Sequence, residues 1–252
     1  MATTFKARAH AIGDGMGAFL SGLFLPADCV HCGGRRWQAT PLCLACHREL
    51  RPCRDASATP GEGDWGGTEK RFLFRMAPPL STLIHGFKYH RRLRHVRFLC
   101  AHLRYRPELR AWAAGYDALV PVPIHATRRR ERGYNQAEAI AAGVGAFSGL
   151  PMLPKALRRL RSTRSQTKLG RGDRRANLDG AFACARPDAV KGKRLLIVDD
   201  VFTTGATSDQ CAAALLRAGA SAVGVLALAR VEAASPDGDF VREMESISAY
   251  AV

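Results

Sequence analysis

The sequence predicts an α/β fold built on a parallel sheet covered on both faces. Three observations carry that expectation. Arg194–Val198 and Ala222–Leu228 are nearly continuous apolar runs rather than alternating ones, as strands buried on both faces require. Thr204–Ala218, between them, has the apolar spacing of a helix. The same alternation of short strands and helices extends back over about 160 residues, which implies crossover connections and parallel strands.

The elements follow in order. Residues 1–26 read as an amphipathic helix or helix pair ending at Pro26, and 27–54 as a small cysteine-rich module. Residues 55–68 (DASATPGEGDWGGT) are rich in Gly, Ala and Asp and read as a flexible linker or long loop. Within 69–230, Phe72–Met76 is a short apolar run and Pro79 to about Arg106 carries two helical segments. Ala118–Val122 is a strand, Arg132–Phe147 a helix and Ala181–Cys184 a weak strand, ahead of the strand–helix–strand unit that ends the domain. Residues 231–252 form an acidic tail.

At 252 residues the chain has room for one domain and an appendage. With 47% hydrophobic and 24% charged residues, it is neither disordered throughout, nor collagen-like, nor a disulfide-stapled miniature. The run Gly17–Leu25 is far shorter than the ~20 residues that a membrane-spanning helix needs, so no stable membrane insertion is expected. The sequence before Cys29 offers no cleavable signal, and a cytoplasmic location is expected. Lys and Arg number 38 against 22 Asp and Glu, a net charge of +16. The tail carries −4 of this balance, which leaves +20 on the remainder. Such a body attracts phosphate, whether of nucleotides, sugar phosphates or nucleic acid.

Five of the eight cysteines fall in 27–54. Cys29-Val-His-Cys32 and Cys43-Leu-Ala-Cys46 are two knuckles, each able to turn two thiolates toward one ion, and four soft ligands suit structural Zn²⁺. A redox dithiol or two unrelated buried pairs are the competing readings, and the paired spacing favours metal. His31 and His47 are adjacent reserve ligands. Cys53 fits neither knuckle, and Cys100, Cys184 and Cys211 sit in apolar segments as core residues.

The most informative stretch is Leu195-Leu-Ile-Val-Asp199-Asp200-Val-Phe-Thr203-Thr204-Gly205-Ala206-Thr207. An apolar strand enters two acids, then a turn of hydroxyls and glycine, then a helix. Unpaired N–H groups and the helix dipole make such a turn an anion cradle. Two acids beside it suit ribose hydroxyls or a Mg²⁺-bound ligand, so the arrangement matches a phosphorylated ribose. There is no Gly-Lys-Ser/Thr of a nucleoside-triphosphate loop and no Gly-x-Gly-x-x-Gly.

This segment resembles the phosphoribosyl pyrophosphate (PRPP) signature of type I phosphoribosyltransferases. LPADCVHCGG with LCLACHREL, LIHGFKYHRRLRH, DALVPVPIHATRRRERGYNQAEAIA, RSQTKLGRGDRRANLDGAF and LLIVDDVFTTGAT followed by LALAR narrow the resemblance to the ComF/GntX family, zinc-module proteins with a phosphoribosyltransferase-like domain. The resemblance spans residues 20–230. It implies that Asp199 and Asp200 contact the ribose hydroxyls directly or through Mg²⁺ and serve catalysis, Asp200 being the nearest candidate for a general base. It further implies that Thr203, Thr204, Gly205, Ala206 and Thr207 hold the 5′-phosphate and that pyrophosphate binds after Ala118–Val122. There Arg128 and Arg132 are the physically sensible partners, since a guanidinium forks onto phosphate oxygens.

Residues 155–175 hold nine Lys or Arg. A mobile loop closing over PRPP, a groove for single-stranded nucleic acid and a disordered basic loop all fit them. Lys88, Arg91, Arg92, Arg94 and Arg97 form a second basic run with aromatics between them. Two functions follow as expectations. One is an enzyme that moves phosphoribosyl from PRPP to an unspecified acceptor with release of pyrophosphate. The other is a single-stranded DNA-binding protein of competence and DNA uptake, with uptake proteins as partners and PRPP as ligand or regulator.

Overall fold

The computed structural model describes residues 27–36, 40–53, 68–160 and 180–231. The expected N-terminal segment, all of the linker but Thr68, positions 161–175 of the basic stretch and the tail beyond Val231 lie outside them. In chain order, β1 (Ala27–Asp28) and β2 (Arg35–Arg36) flank the first knuckle, and α1 (Leu44–Arg48) carries the end of the second. Then come β3 (Lys70–Arg75), α2 (Leu80–Tyr89), α3 (Leu93–Ala101), a 3₁₀ turn at His102–Tyr105, α4 (Pro107–Ala113) and β4 (Ala118–Pro121). They are followed by α5 (Ala126–Arg132), α6 (Gln136–Ser148), β5 (Leu157–Arg159), β6 (Phe182–Cys184) and α7 (Pro187–Val190). The unit β7 (Arg194–Phe202), α8 (Ala206–Arg217) and β8 (Ala222–Arg230) closes the domain.

The fold class is α/β, as the apolar runs predict. The main sheet has the order β3-β8-β7-β4, every neighbour parallel. Alternation along β7 fills two cores. Leu196 and Val198 pack with Leu83, Ile84, Phe87, Leu99 and Ile140 from α2, α3 and α6. Leu195 and Ile197 pack with Cys211, Ala212 and Leu215 of α8 and with Phe182 of β6. Successive side chains of a strand point to opposite faces, so burial of both sets requires helices on both sides. Both sheet edges are covered. Pro52 bridges Phe74 on β3 and Met152 bridges Leu119 on β4, which occupies backbone groups that would otherwise template another strand.

Three elements differ from expectation. The helix expected over Arg132–Phe147 starts later, at Gln136: Arg132 ends the separate helix α5, which stops at Gly133 (φ +77°), and Asn135 opens α6, its Oδ1 accepting from the Ala137 N–H at 3.1 Å. A Cβ on residue 133 would also collide with the Arg91 guanidinium. Second, β7 runs on through both acids to Phe202, because β8 continues to pair with it up to Arg230. Third, the basic stretch opens with a strand: β5 pairs antiparallel with β6 from Leu157↔Cys184 to Arg159↔Phe182. Among the described residues no helix is long and apolar enough to cross a membrane.

Candidate functional site

Two clusters carry the chemistry. In the first, the Sγ atoms of Cys29, Cys32, Cys43 and Cys46 all lie within 4.8 Å of one another, with Cys32 and Cys43 3.7 Å apart. Four sulfurs at ~2.3 Å from a tetrahedral ion would be ~3.8 Å apart, so the donor set fits a metal such as zinc. The first knuckle is shaped by its own backbone: the Gly33 N–H donates to the Cys29 carbonyl at 3.0 Å, and the Gly34 N–H points at Cys32 Sγ from 3.4 Å. Burial pushes the Cys29 thiol up, but N–H groups of Cys32, Cys43 and His31 outweigh it and bring its pKa to about 6. Burial and then the neighbouring cysteines push Cys46 upward. Four packed thiols cannot all ionise without a cation, which is what a bound metal would supply. Neither reserve histidine joins the four: His31 Nδ1 lies 2.9 Å from Thr82 Oγ1, and His47 Nε2 2.9 Å from His102 Nε2. Both contacts reach the larger domain, and Cys29, Leu42, Cys46 and Leu50 share its core. Cys53, unassigned from sequence, is buried beside Phe72 and Ala227.

The second cluster lies at the carboxyl ends of the parallel strands, the usual place for a ligand in open α/β sheets. Asp199 is level with Ala227 on β8, and the Val122 N–H donates to the Val198 carbonyl at 2.9 Å, which places the exit of β4 beside the two acids. Asn135, the α6 cap, also donates from Nδ2 to the Val122 carbonyl at 3.0 Å and fixes that exit. Asp199 and Asp200 meet different neighbours, as adjacent strand positions do. Asp200 Oδ2 lies 2.8 Å from Lys88 Nζ of α2. Asp199 accepts from the Asp200 N–H at 2.8 Å and lies within electrostatic reach of Arg159 and Cys211. Burial and then the Asp200 charge raise Asp199 to about 8, with Lys88 acting in the opposite sense.

The turn that follows, Thr203–Gly205, leads into α8. Gly205 has φ +82°, and a Cβ there would come within 2.9 Å of the Phe202 ring, so glycine is required twice over. Gly205, the residue at the N-cap of α8, brings no side chain to cap it. Ser208 Oγ donates to the Gly205 carbonyl at 2.8 Å, and Asp209, in the first turn, pairs with Lys70 Nζ at 2.9 Å. Thr203 is exposed, Thr204 and Thr207 are half-buried, and Ala206 is buried. On α5, Arg128 and Arg132 stand one turn apart and half-buried, whereas Arg129 and Arg130 are exposed. Arg128 acts on Arg159, and Arg132 stacks over the Tyr89 ring at 5.3 Å. The structure thus brings the acids, the turn and the inner face of α5 to one edge of the sheet.

Lys88 and Arg159 belong to this site, and sequence reasoning assigned them to basic runs. Tyr134 joins them: its hydroxyl donates to the Phe87 carbonyl, and its ring lies near Asp200 and Arg132. Only the segregation of Lys88 at the end of an otherwise apolar helix face hinted at an inward role.

Comparison with known proteins follows the same line. Over 225 residues, 82% of this chain and 98% of the relative, the sequence is 28% identical to competence protein F of Haemophilus influenzae. It is 36% identical over 157 residues to the DNA utilization protein YhgH of Escherichia coli, covering 61% of this chain and 68% of that one. The chain belongs to the competence protein F (ComF) family. Competence protein ComFC of Bacillus subtilis is 32% identical over 104 residues, 41% of this chain and 40% of its own length. Among solved structures, glutamine PRPP amidotransferase from B. subtilis matches 57% of this chain and 30% of its own at a TM-score of 0.37 and 22% identity. No protein-family model matches the chain.

Proposed function

We propose that this family member binds PRPP at the carboxyl edge of the sheet and transfers its phosphoribosyl group to an acceptor. The observation that carries the reading is the junction of β7 and α8: an acid pair running into a helix start opened by Gly205, which brings no capping side chain of its own, beside the exit of β4. The N–H groups that open α8, with Thr203, Thr204 and Thr207, hold the 5′-phosphate by dipole and hydrogen bond. Asp199 and Asp200 accept from the ribose hydroxyls, and the paired guanidiniums of Arg128 and Arg132 take the pyrophosphate. A lone pair of the acceptor bonds to C1 as the C1–O bond to pyrophosphate breaks, and pyrophosphate leaves with that electron pair. Positive charge that builds at C1 is stabilised by the Asp200 carboxylate. Mg²⁺, when bound with the ligand, offsets the pyrophosphate charge. The four cysteines hold Zn²⁺ in a closed site that is structural, because it leaves no open coordination position.

Calorimetric titration of PRPP into the wild type and into Asp199→Asn/Asp200→Asn tests this reading. Binding is expected in the first and lost in the second. A double variant that binds PRPP as the wild type does would sink the assignment.

A second reading, single-stranded DNA binding in competence and DNA uptake, draws on the names of the relatives and on one surface. Arg92, Arg94 and Arg97 are exposed on and before α3. Arg94 feels Arg36 of the cysteine module and Arg92 strongly enough to be pushed below its usual pKa, after partial burial as the first cause. This concentration of charge suits a phosphate backbone. DNA affinity that falls steeply with salt and weakens in Arg92→Ala/Arg94→Ala/Arg97→Ala supports it. Affinity indifferent to both removes it.

A further inference from the structure

Lys88 makes a contact at the acid pair for which the phosphoribosyl reading alone has no role. Its Nζ lies 2.8 Å from Asp200 Oδ2, and the two side chains are only 18% and 16% exposed. Ordering a long lysine stem and removing both charges from water is costly, so the pairing is no chance meeting of surface groups.

The surrounding structure fixes where Lys88 stands. It is the penultimate residue of α2, whose Leu80, Leu83, Ile84 and Phe87 are buried in the core. Gly86, two residues earlier, admits the His95 ring of α3 so closely that a Cβ would come within 2.6 Å of His95 Nδ1. On the other side the Tyr134 hydroxyl donates to the Phe87 carbonyl, tying the end of α2 to the junction of α5 and α6. Helix, neighbouring helix and the α5–α6 junction therefore aim one ammonium at one carboxylate before any ligand arrives.

The ammonium holds the Oδ2 side of that carboxylate, one of the two oxygens through which a divalent ion would link Asp200 to a ligand. We propose that Lys88 is the resident counter-charge of the acid pair, a positioning residue that holds Asp200 ready for sugar hydroxyls and makes sugar-phosphate binding there independent of a divalent ion. The proposal rests on the phosphoribosyl reading and deepens it. Ribose hydroxyls need acceptors rather than cations, and a carboxylate already matched by an ammonium does not repel the nearby phosphate. With an apolar residue at position 88, Asp200 loses its partner, and only an added cation can restore the balance.

Ribose 5-phosphate is the appropriate probe, because it carries the 5′-phosphate and the hydroxyls without a pyrophosphate that binds Mg²⁺ by itself. Its affinity for the full chain is measured by calorimetry in EDTA and in Mg²⁺. The wild type is expected to bind within about threefold in the two buffers, a difference smaller than one pKa unit's worth of free energy. Lys88→Met is expected to lose about tenfold or more in EDTA and to recover in Mg²⁺, and Lys88→Arg to behave as the wild type. A purely structural lysine would give no rescue by the ion. Circular dichroism checks the fold of each variant, and if Lys88→Met does not fold, the wild type and Lys88→Arg decide. Wild-type binding that vanishes in EDTA, or Lys88→Met that binds as the wild type does in EDTA, overturns the assignment of Lys88 and leaves the phosphoribosyl reading standing. A wild type that binds ribose 5-phosphate in neither buffer overturns both.

Discussion

The cysteine module and the acid-pair site solve the same problem, like charges brought together, in different ways. The four thiols come from Cys29 to Cys46, and their two turns are built from their own backbone. One ion held among them would balance them locally. Asp200, near the end of β7, is matched by a group from elsewhere, Lys88 of α2, and Asp199 beside it lies within electrostatic reach of Arg159 from β5. Adjacent strand residues cannot supply their own counter-charge, so the fold supplies it. A cluster balanced locally can be read as a motif, and one balanced by packing cannot.

The comparison can be broken most severely at the module. Because Cys29, Leu42, Cys46 and Leu50 share a core with Leu83, Ile84 and Phe87, loss of the metal should reach the sheet. Chelation or Cys46→Ser is expected to lower Tm of the whole chain by about 10 °C or more, given the large binding free energies of such sites and ~2–4 °C per kcal/mol. Scanning calorimetry with metal analysis checks it, and a body that melts unchanged would show the two regions to be independent.

Next in size is Gly205→Ala. The left-handed backbone and the contact with Phe202 predict a loss of about 1–3 kcal/mol of stability. PRPP affinity should fall with it, while metal content stays the same. Denaturant titration and calorimetry read the two effects separately.

Asp199 offers a pH test in which stability and binding move oppositely. Its carboxyl is raised from 3.8 to about 8, so the folded state keeps a proton that the unfolded chain has released across that window. Stability from this group is fully present below about pH 4 and is lost as pH rises through about 8. Asp199→Asn removes that titration. Its Tm should decline less than that of the wild type between those limits and exceed it at the upper one, while PRPP binding is lost. A Tm–pH profile parallel to the wild type would show that Asp199 does not carry the shift.

The smallest expected effects separate the two faces of α5. Arg128, half-buried, should cost PRPP affinity when replaced by Ala. Arg129 forks onto Glu138 at 3.0 and 3.3 Å with its side chain 57% exposed. Arg129→Ala should change stability by no more than ~0.5 kcal/mol and leave PRPP affinity alone. Equal losses in the two variants would mean that charge alone, not placement, attracts the ligand.

By itself the sequence determined what is decided within a turn or two of the chain. Apolar runs gave the buried strands, paired Cys-x-x-Cys gave four cysteines close enough to hold a metal, and an acid pair before Thr-Thr-Gly gave the turn between β7 and α8. In each the physical constraint acts between near neighbours: alternation across a strand, two thiolates per turn, glycine where φ must be positive. Tertiary structure alone decided which cations face the acids. Lys88, Arg91, Arg92, Arg94 and Arg97 are alike in one basic run, yet only Lys88 is turned inward to Asp200. That choice depends on the close passage of α2 against α3 at Gly86 and on the strand order that sets β7 beside β4. Such packing acts between residues far apart in the chain and leaves no local spacing to read.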